Sequence, residues 1–179
     1  MADSPNNPDD FSASDVLAPG FWAATESRST VGVDVACTKI VVDLQTMTQA
    51  SAESTLHSAL TTLRASAAVD SAFLLLLAND GETVQTVYAK QAALVQGRIE
   101  AMRGDSLQQY PWLRGRTDHL QLSELRDCVQ PHKDQQAEAR RFLELQLGSV
   151  LVVAIRVQGK PAGLLGFGTT LPRGAWDVN

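Results

Sequence analysis

The sequence predicts an α+β domain in which an antiparallel sheet carries helices mostly on one face. Two pairs of apolar segments, each joined by a short turn, are typical of antiparallel hairpins. Segments with apolar residues at helical spacing lie before the first pair and between the two pairs. The 179 residues are 44% hydrophobic and 20% charged, which is typical of about one globular domain.

The N-terminal segment has few large apolar side chains. Residues 1–19 contain three prolines and six aspartates or asparagines. Such a segment cannot bury enough apolar surface to offset the conformational entropy that it would lose on ordering. We therefore expect residues 1–30 to form a disordered or loosely docked tail and residues 31–179 to form a single domain.

Two helices are predicted next, over Val33–Thr48 and Ala52–Ala68, with Ser51 as the N-cap of the second. The apolar stripes of the two helices are out of phase, which predicts a break near Thr48–Ser51. The first stripe could pack on the sheet of its own chain or on a second copy. Its members are Val33, Cys37, Ile40, Val41, Leu44 and Met47, and we expect Cys37 to lie in the core.

The first hairpin is predicted over Ala72–Ala78 and Val84–Ala89, joined by a turn at Asn79–Glu82. The first of these segments is a continuous apolar run of seven residues, which favours a strand buried on both faces.

The second hairpin is predicted over Ser149–Val157 and Ala162–Thr169, with a turn at Gln158–Pro161. Three glycines inside the last strand imply a close approach of neighbouring backbone or a bulge. They are Gly163, Gly166 and Gly168.

Between the hairpins we expect a helical turn at Ser106–Leu113, a strand at His119–Leu122 and a turn capped by Ser123 that contains Glu124 and Leu125. A loop at Val129–Lys133 precedes an amphipathic helix at Asp134–Leu147. We expect this helix to bury Ala139, Phe142, Leu143 and Leu147, to point Glu138, Arg140, Arg141 and Glu144 toward water, and to end at Gly148 as its C′ residue.

Composition and charge exclude several classes of function. The net charge of −5 argues against nucleic-acid binding, because phosphate neutralisation supplies most of that affinity. The longest uncharged apolar run, Ser71–Asn79, is too short to span a bilayer. The N-terminus lacks the basic and apolar regions of a secretory signal, and two cysteines are too few for a disulfide framework. We therefore expect a cytoplasmic protein.

No motif for a metal, a cofactor or catalysis stands out. The histidines His57, His119 and His132 have no metal-ligand spacing, and we expect His57 and His132 to be solvated. The glycines of the last strand precede no helix that could bind a phosphate. Cys128 lies four residues before His132, so a thiol nucleophile is conceivable, but no oxyanion motif accompanies it. We therefore predict no catalytic residues, no metal and no cofactor.

The strongest indication of a ligand is a cluster of aromatic and basic residues. Tyr110, Trp112, Arg114 and Arg116 lie within seven residues. Aromatic rings and guanidinium groups can stack on or clamp a planar or anionic ligand. Alternatively, the two aromatic residues close one end of the sheet and the arginines are solvated.

The order of these segments resembles a GAF domain, the small-molecule-sensing module of signalling proteins. The resemblance runs from about Leu56 to Trp176. It includes Val69–Leu75 at the family's first strand, Ser106–Leu113 at its "l…pW" segment and His119–Asp127 at its "v.i.dl.dlp" segment. The closing motifs are Glu138–Gly168 and Pro172–Trp176, which is similar to "pr.W".

The chain departs from the family in several places. Ala154 stands where the family often has proline, and no helix follows Trp176 before the sequence given ends at Asn179. The NKFDE signature of cyclic-nucleotide-binding relatives is absent, as are the cysteine patterns of bilin-binding and methionine-sulfoxide-reducing relatives.

The resemblance implies a central antiparallel sheet of five or six strands in a GAF- or PAS-like fold, with N-terminal helices on one face. Loops and short helices between Lys90 and Lys133 would cover the other face and enclose a pocket. We expect that pocket to be lined by Tyr110, Trp112, Arg114, Arg116, His119 and Phe142.

The expected function is a non-catalytic sensor for an unknown small molecule in a bacterial signalling protein, of the two-component or cyclic-di-GMP type. A homodimer through the N-terminal helix is implied, with no nucleic acid and no membrane as partner. The alternatives are a protein-interaction module with a self-filled pocket and a thiol-dependent redox enzyme on the same fold.

Overall fold

The computed structural model describes residues 35, 37–117, 122–174 and 176 of the chain. The predicted tail, residues 1–30, lies outside these residues. The helices are α1 (37–45), α2 (Ala52–Ser66), α3 (Pro111–Thr117) and α4 (Gln136–Glu144). The strands are β1 (Ser71–Leu77), β2 (Val84–Gln91), β3 (Leu122–Leu125), β4 (Ser149–Val157) and β5 (Lys160–Thr169).

The five strands form one sheet in the order β2-β1-β5-β4-β3, and every neighbouring pair is antiparallel. This confirms the predicted α+β class. The two predicted hairpins are β1–β2 and β4–β5. The second has a two-residue loop, because Val157 pairs directly with Lys160. Gln158 and Gly159 in that loop both have positive φ, as in a type I′ turn.

The apolar run in β1 is buried on both faces of the sheet, as predicted. Phe73 and Leu75 belong to the larger core cluster on one face. Ala72 and Leu74 belong to a second cluster, together with Leu60 of α2. Alternation along the strand therefore distributes one continuous apolar segment between two cores.

The larger core is covered by α3, α4 and two short 3₁₀ helices at Ile99–Met102 and Leu107–Gln109. The helix α2 lies on the opposite face, against β1 and β2. An N-terminal helix on one face, with loops and short helices on the other, agrees with the predicted architecture.

The predicted close approach at the glycines of β5 is confirmed. A Cβ added to Gly163 would lie 2.4 Å from the carbonyl oxygen of Leu75 on β1. Any side chain at this position would therefore push the central strands apart.

Two helices, α2 and α4, end earlier than predicted. The prediction made Gly148 the C′ residue of α4. The C′ residue is Gln146, with a φ of +61°. The N–H of Gln146 donates to the carbonyl of Leu143, and the N–H of Leu147 donates to that of Phe142. These two bonds form a Schellman motif. Ala68 ends α2 in the same way, with a φ of +49°.

Gly148 serves another purpose. A Cβ on this residue would lie 2.5 Å from the carbonyl oxygen of Thr170, so the segment after β5 passes directly over it. The glycine is required by packing and not by the helix end.

The turn predicted around Ser123 is wrong, because Ser123 and Glu124 lie inside β3 and pair with Val152 and Leu151 of β4. The predicted N-cap of α2 is confirmed. Ser51 is the N-cap residue, although it forms no side-chain cap. Its hydroxyl instead accepts a hydrogen bond from the N–H of Thr48, in the predicted break between the helices.

The described part of the α1 stripe is exposed, with the exception of Ile40, which is 8% exposed. Val33, the first residue of the predicted stripe, lies outside the described residues. The expectation that Cys37 lies in the core is wrong, since Cys37 is exposed. Helical periodicity shows that a helix has an apolar face but does not show what that face packs on. The exposed large apolar residues in and around α1 are Val35, Val41, Val42, Leu44 and Met47.

Trp176 packs near the C-terminal end of the chain against Val69 and Leu151. The guanidinium of Arg173 lies 4.8 Å from the centroid of its ring, within the range of a cation–π contact.

The helices in the described part of the chain are all too short or too polar to span a bilayer.

Candidate functional site

The covered face of the sheet, where the ligand pocket was predicted, is filled by side chains of the chain itself. Five of the side chains that fill it are no more than 1% exposed: Ile99, Met102, Leu107, Tyr110 and Leu113. These side chains occupy the space between the sheet and its cover, where the ligand was expected.

Tyr110 anchors a hydrogen-bond network that connects the cover to α4. Its hydroxyl donates to Asp105 Oδ2 over 2.6 Å and accepts from Arg141 Nε over 3.2 Å. Arg141 also donates to Asp105 over 3.2 Å and to Glu144 over 2.8 Å. Burial, with the hydrogen bond to Asp105, raises the pKa of Tyr110, so the phenol stays protonated and donates.

Arg141 was expected to point toward water, but its side chain is only 34% exposed because it closes this network. The hydrogen bonds to Glu144, Tyr110 and Asp105 raise its pKa further above the usual range. The network holds the 3₁₀ helix Leu107–Gln109 on α4.

Glu138 is the most unexpected residue of the site. It was predicted to face water, but it is 0% exposed. One carboxylate oxygen, Oε1, accepts a hydrogen bond from the backbone N–H of Trp112, in the first turn of α3. Because the first N–H groups of a helix have no partner within the helix, Glu138 supplies one from α4. Its other oxygen, Oε2, is buried without a hydrogen-bond partner among the described residues.

Trp112 is 6% exposed and its indole Nε1 is likewise buried without a described partner. The guanidinium of Arg116 lies 6.0 Å from the centroid of its ring. Trp112 and Arg116 are therefore brought together as the sequence suggested, by one turn of α3.

Arg114 points elsewhere. It donates to Glu82 over 2.7 Å, and Gln108 donates to the same carboxylate over 2.7 Å. These bonds attach α3 to the turn between β1 and β2. In the alternative prediction the arginines were solvated. Arg114 is more than half exposed, but it also forms an ion pair with Glu82.

Of the remaining predicted site residues, Phe142 is buried with its ring centroid 6.3 Å from that of Tyr110. His119 lies outside the described residues. The predicted set is therefore divided between a buried aromatic core and a surface formed by the arginines.

A surface groove of about 470 Å³ lies between β3 and the N-terminal end of α4. It is lined by Glu124, Arg126, Asp127, Gln130, Pro131, His132 and Gln135. Asp127 accepts hydrogen bonds from the N–H groups of Val129 and Gln130, which shapes the loop.

The rim of this groove carries charge. His132, exposed as predicted, bonds to Asp134 over 2.5 Å and lowers the pKa of that carboxyl, with a smaller effect from the positive charge of Arg116. Arg126 pairs with Glu124. The positive charge of Arg116 thus acts on Asp134 while its guanidinium lies over the Trp112 ring.

Cys128 does not have the surroundings of a nucleophile. It is 2% exposed, and burial, with the charge of Asp127, raises the pKa of its thiol to about 12. A nucleophilic thiol needs a lowered pKa and access to solvent. His132 is turned toward Asp134 instead.

The described ranges contain no group of three or more histidine, cysteine or acidic side chains that could hold a metal ion. His57, expected to be solvated, packs on the ring of Tyr88 in an edge-to-face contact of 5.8 Å. Its Nδ1 is buried without a described partner.

Three important residues of this region were not predicted as site residues: Asp105, Glu138 and Arg141. A helical pattern places Glu138 at the border of the apolar face, one position before Ala139. No sequence signal indicates that a carboxylate there reaches the first turn of another helix.

No family model and no curated protein matches the sequence. Solved structures do match. The chain is similar to the phycoerythrobilin-bound GAF domain of a cyanobacterial phytochrome, with 14% identity, a TM-score of 0.61 and 82% of this chain covering 86% of that one. It is also similar to a biliverdin-bound protein in its far-red-absorbing dark state, with 16% identity, a TM-score of 0.60 and coverage of 78% and 86%.

A third similar structure is the GAF domain of a protein assigned as a sensor histidine kinase in Pseudomonas syringae pv. tomato. It shares 14% identity with a TM-score of 0.52, over 86% of this chain and 79% of that one. At these identities the similarity establishes the fold.

Proposed function

Because the chain has the GAF-domain fold, we propose that it is a non-catalytic sensory or regulatory domain that binds a small molecule in a bacterial signalling protein. The observation that carries this proposal is the fold, a five-stranded antiparallel sheet with helices on both faces, which is similar to that of a phycoerythrobilin-bound GAF domain. The similarity to a domain of a sensor kinase supports a role in signal transduction.

The ligand we propose is smaller than the bilins of those structures. The covered face is packed by buried side chains such as Met102, Tyr110 and Phe142, which leaves no space for a large planar molecule without rearrangement. A covalent bilin would also need a reactive thiol at the covered face. The pKa of the buried Cys128 thiol is raised to about 12, and Cys37 lies on α1, outside the core cluster of that face.

We also propose a cytoplasmic location and an output through a histidine kinase or a cyclic-di-GMP enzyme.

The exposed apolar stripe of α1 supports a homodimer, because burial of those side chains would be favourable by about 25 cal/mol per Å².

The experiment is a thermal-shift screen of the chain against metabolites and nucleotides. A ligand at 100 times its dissociation constant adds about 2.7 kcal/mol to the free energy of unfolding. We expect at least one compound to raise Tm in a concentration-dependent way. A screen in which no compound raises Tm would contradict the sensory proposal.

One observation favours a second candidate, a protein-interaction module with a self-filled pocket. The same buried side chains that limit the ligand's size could occupy the whole interior. This candidate predicts no Tm shift with small molecules, and no change of the Tyr110 surroundings on dimer formation.

A further inference from the structure

We propose that Glu138 and Trp112 recognise an amino acid or a primary amide, a ligand that carries an N–H donor and an oxygen acceptor. This inference rests on the proposed sensory function and specifies its ligand class. Its basis is the junction between α3 and α4, where two polar atoms with opposite hydrogen-bonding needs are buried.

Glu138 Oε2 is an acceptor and Trp112 Nε1 is a donor, and neither has a partner among the described residues. Both side chains are more than nine-tenths buried, at 0% and 6% exposure. Buried polar groups in native proteins are nearly always paired, so each exception requires an explanation. A ligand with an amine or amide N–H would satisfy the carboxylate, and its oxygen would satisfy the indole N–H.

A purely structural role explains only one of the two carboxylate oxygens of Glu138. Its Oε1 holds the first turn of α3 through the N–H of Trp112. A neutral side chain with one acceptor oxygen could do the same without burying a carboxylate, which is costly unless it is fully hydrogen-bonded. The second carboxylate oxygen is therefore the feature that a ligand explains.

A groove adjoins the N-terminal end of the helix that carries Glu138. Gln135, which lines the groove and is the N-cap residue of α4, lies three residues before Glu138. Its amide donates to the carbonyl of Glu124 over 3.3 Å, a long hydrogen bond that joins β3 to the start of α4. An open surface thus begins within about one helical turn of Glu138.

The charges around the junction fit the same ligand class. The guanidinium of Arg116 lies 6.0 Å from the centroid of the Trp112 ring. A guanidinium over this ring suits the carboxylate or carbonyl end of the ligand. Glu138 suits its ammonium or amide end.

The test is titration calorimetry of the full chain with each of the twenty common amino acids and their carboxamides as probes. Putrescine, which has N–H donors but no oxygen, and succinate, which has oxygens but no N–H, are the comparison probes. We expect at least one amino acid or amide to bind more tightly than both comparison probes.

Glu138→Gln is the decisive variant, because its amide oxygen can still accept from the N–H of Trp112 while an NH₂ group replaces Oε2. We expect it to weaken binding by about tenfold or more, since a donor then faces the donor of the ligand. Trp112→Phe keeps the ring and removes only the indole N–H, and we expect a several-fold loss. Glu53→Gln, the same change at an exposed position of α2 on the opposite face of the sheet, should leave the dissociation constant unchanged.

The proposal is overturned if no amino acid or amide binds, if both variants bind as the unmodified chain does, or if succinate or putrescine binds equally well. If Glu138→Gln does not fold, the result for Trp112→Phe decides. A general screen that finds a ligand lacking either group would leave the sensory function intact and refute only this ligand class.

Discussion

Gly166 of β5 lies directly beneath the ring of Phe73, its register partner on β1. A Cβ on Gly166 would lie 2.2 Å from Cζ of that ring, far inside van der Waals contact. The ring is 1% exposed and belongs to the core cluster that the cover encloses. The two strands at the centre of the sheet thus fit together because one of them has no side chain at this point.

We therefore predict that Gly166→Ala destabilises the protein by about 1–3 kcal/mol, the usual cost of overpacking a core. Urea denaturation measures the difference. Gly174→Ala is the control, because a Cβ there has nothing within 4 Å, and its effect should be within about 0.5 kcal/mol. Adding Phe73→Leu to Gly166→Ala should restore part of the loss if the ring causes it.

Gln146→Gly should stabilise the protein by about 0.5–1 kcal/mol. Gln146 is exposed and has a φ of +61°, a conformation that costs most residues about 1 kcal/mol and glycine almost nothing. The measurement is the midpoint of thermal or urea unfolding. Gln136→Gly, in the first turn of α4, should have the opposite sign, because glycine inside a helix is destabilising. Equal signs for both changes would be inconsistent with this account.

Tyr110→Phe should destabilise the protein by about 1–2 kcal/mol, since it removes one of the two donors of Asp105 Oδ2 and leaves Arg141 Nε without its acceptor. Tyr88→Phe, at a half-buried position of β2, is the matched control and should cost less. A double-mutant cycle with Asp105→Asn should show coupling between the two positions. Additive effects would mean that the network does not act as a unit.

The two cysteines should react at very different rates. Cys37 is exposed and Cys128 is 2% exposed, so a thiol reagent at neutral pH should label one thiol quickly and two only after unfolding. Cys37→Ser should remove the fast phase. A fast phase that persists in this variant would show that Cys128 is accessible.

Cys128 should also make stability depend on pH. Its pKa is about 12 in the folded state and about 8.5 in the unfolded state, so the unfolded chain loses the thiol proton first. The stabilisation is complete below about pH 8.5 and is lost as the pH rises toward 12. Cys128→Ala should flatten this decline relative to the unmodified chain, as measured by urea denaturation across that range.

The exposed stripe of α1 should hold two copies of the chain together. Leu44→Asp should convert a dimer to a monomer in light scattering after size exclusion, because a charge would be buried in an apolar contact. Gln45→Asp adds the same charge at the next exposed position and should leave the dimer intact. A monomeric unmodified chain at micromolar concentration would refute this expectation.

The sequence by itself determined the framework of this protein. Apolar patterning located both hairpins. A strand buried on two faces requires a continuous apolar run, such as that of β1. In the second hairpin, Gly163 indicated the close approach of a neighbouring strand. The out-of-phase stripes located the break before α2. The apolar periodicities are local properties, and each depends on residues within a few positions of one another.

Tertiary structure alone decided the site. The burial of Glu138, the partners of Arg141 and the packing of His57 on Tyr88 each join residues about thirty positions apart. A helical pattern shows only that Glu138 borders an apolar face. The carboxylate is buried because it accepts a hydrogen bond from the N–H of Trp112 at the start of α3. The apolar stripe of α1 likewise does not specify its own burial, since only Ile40 among its described members is buried.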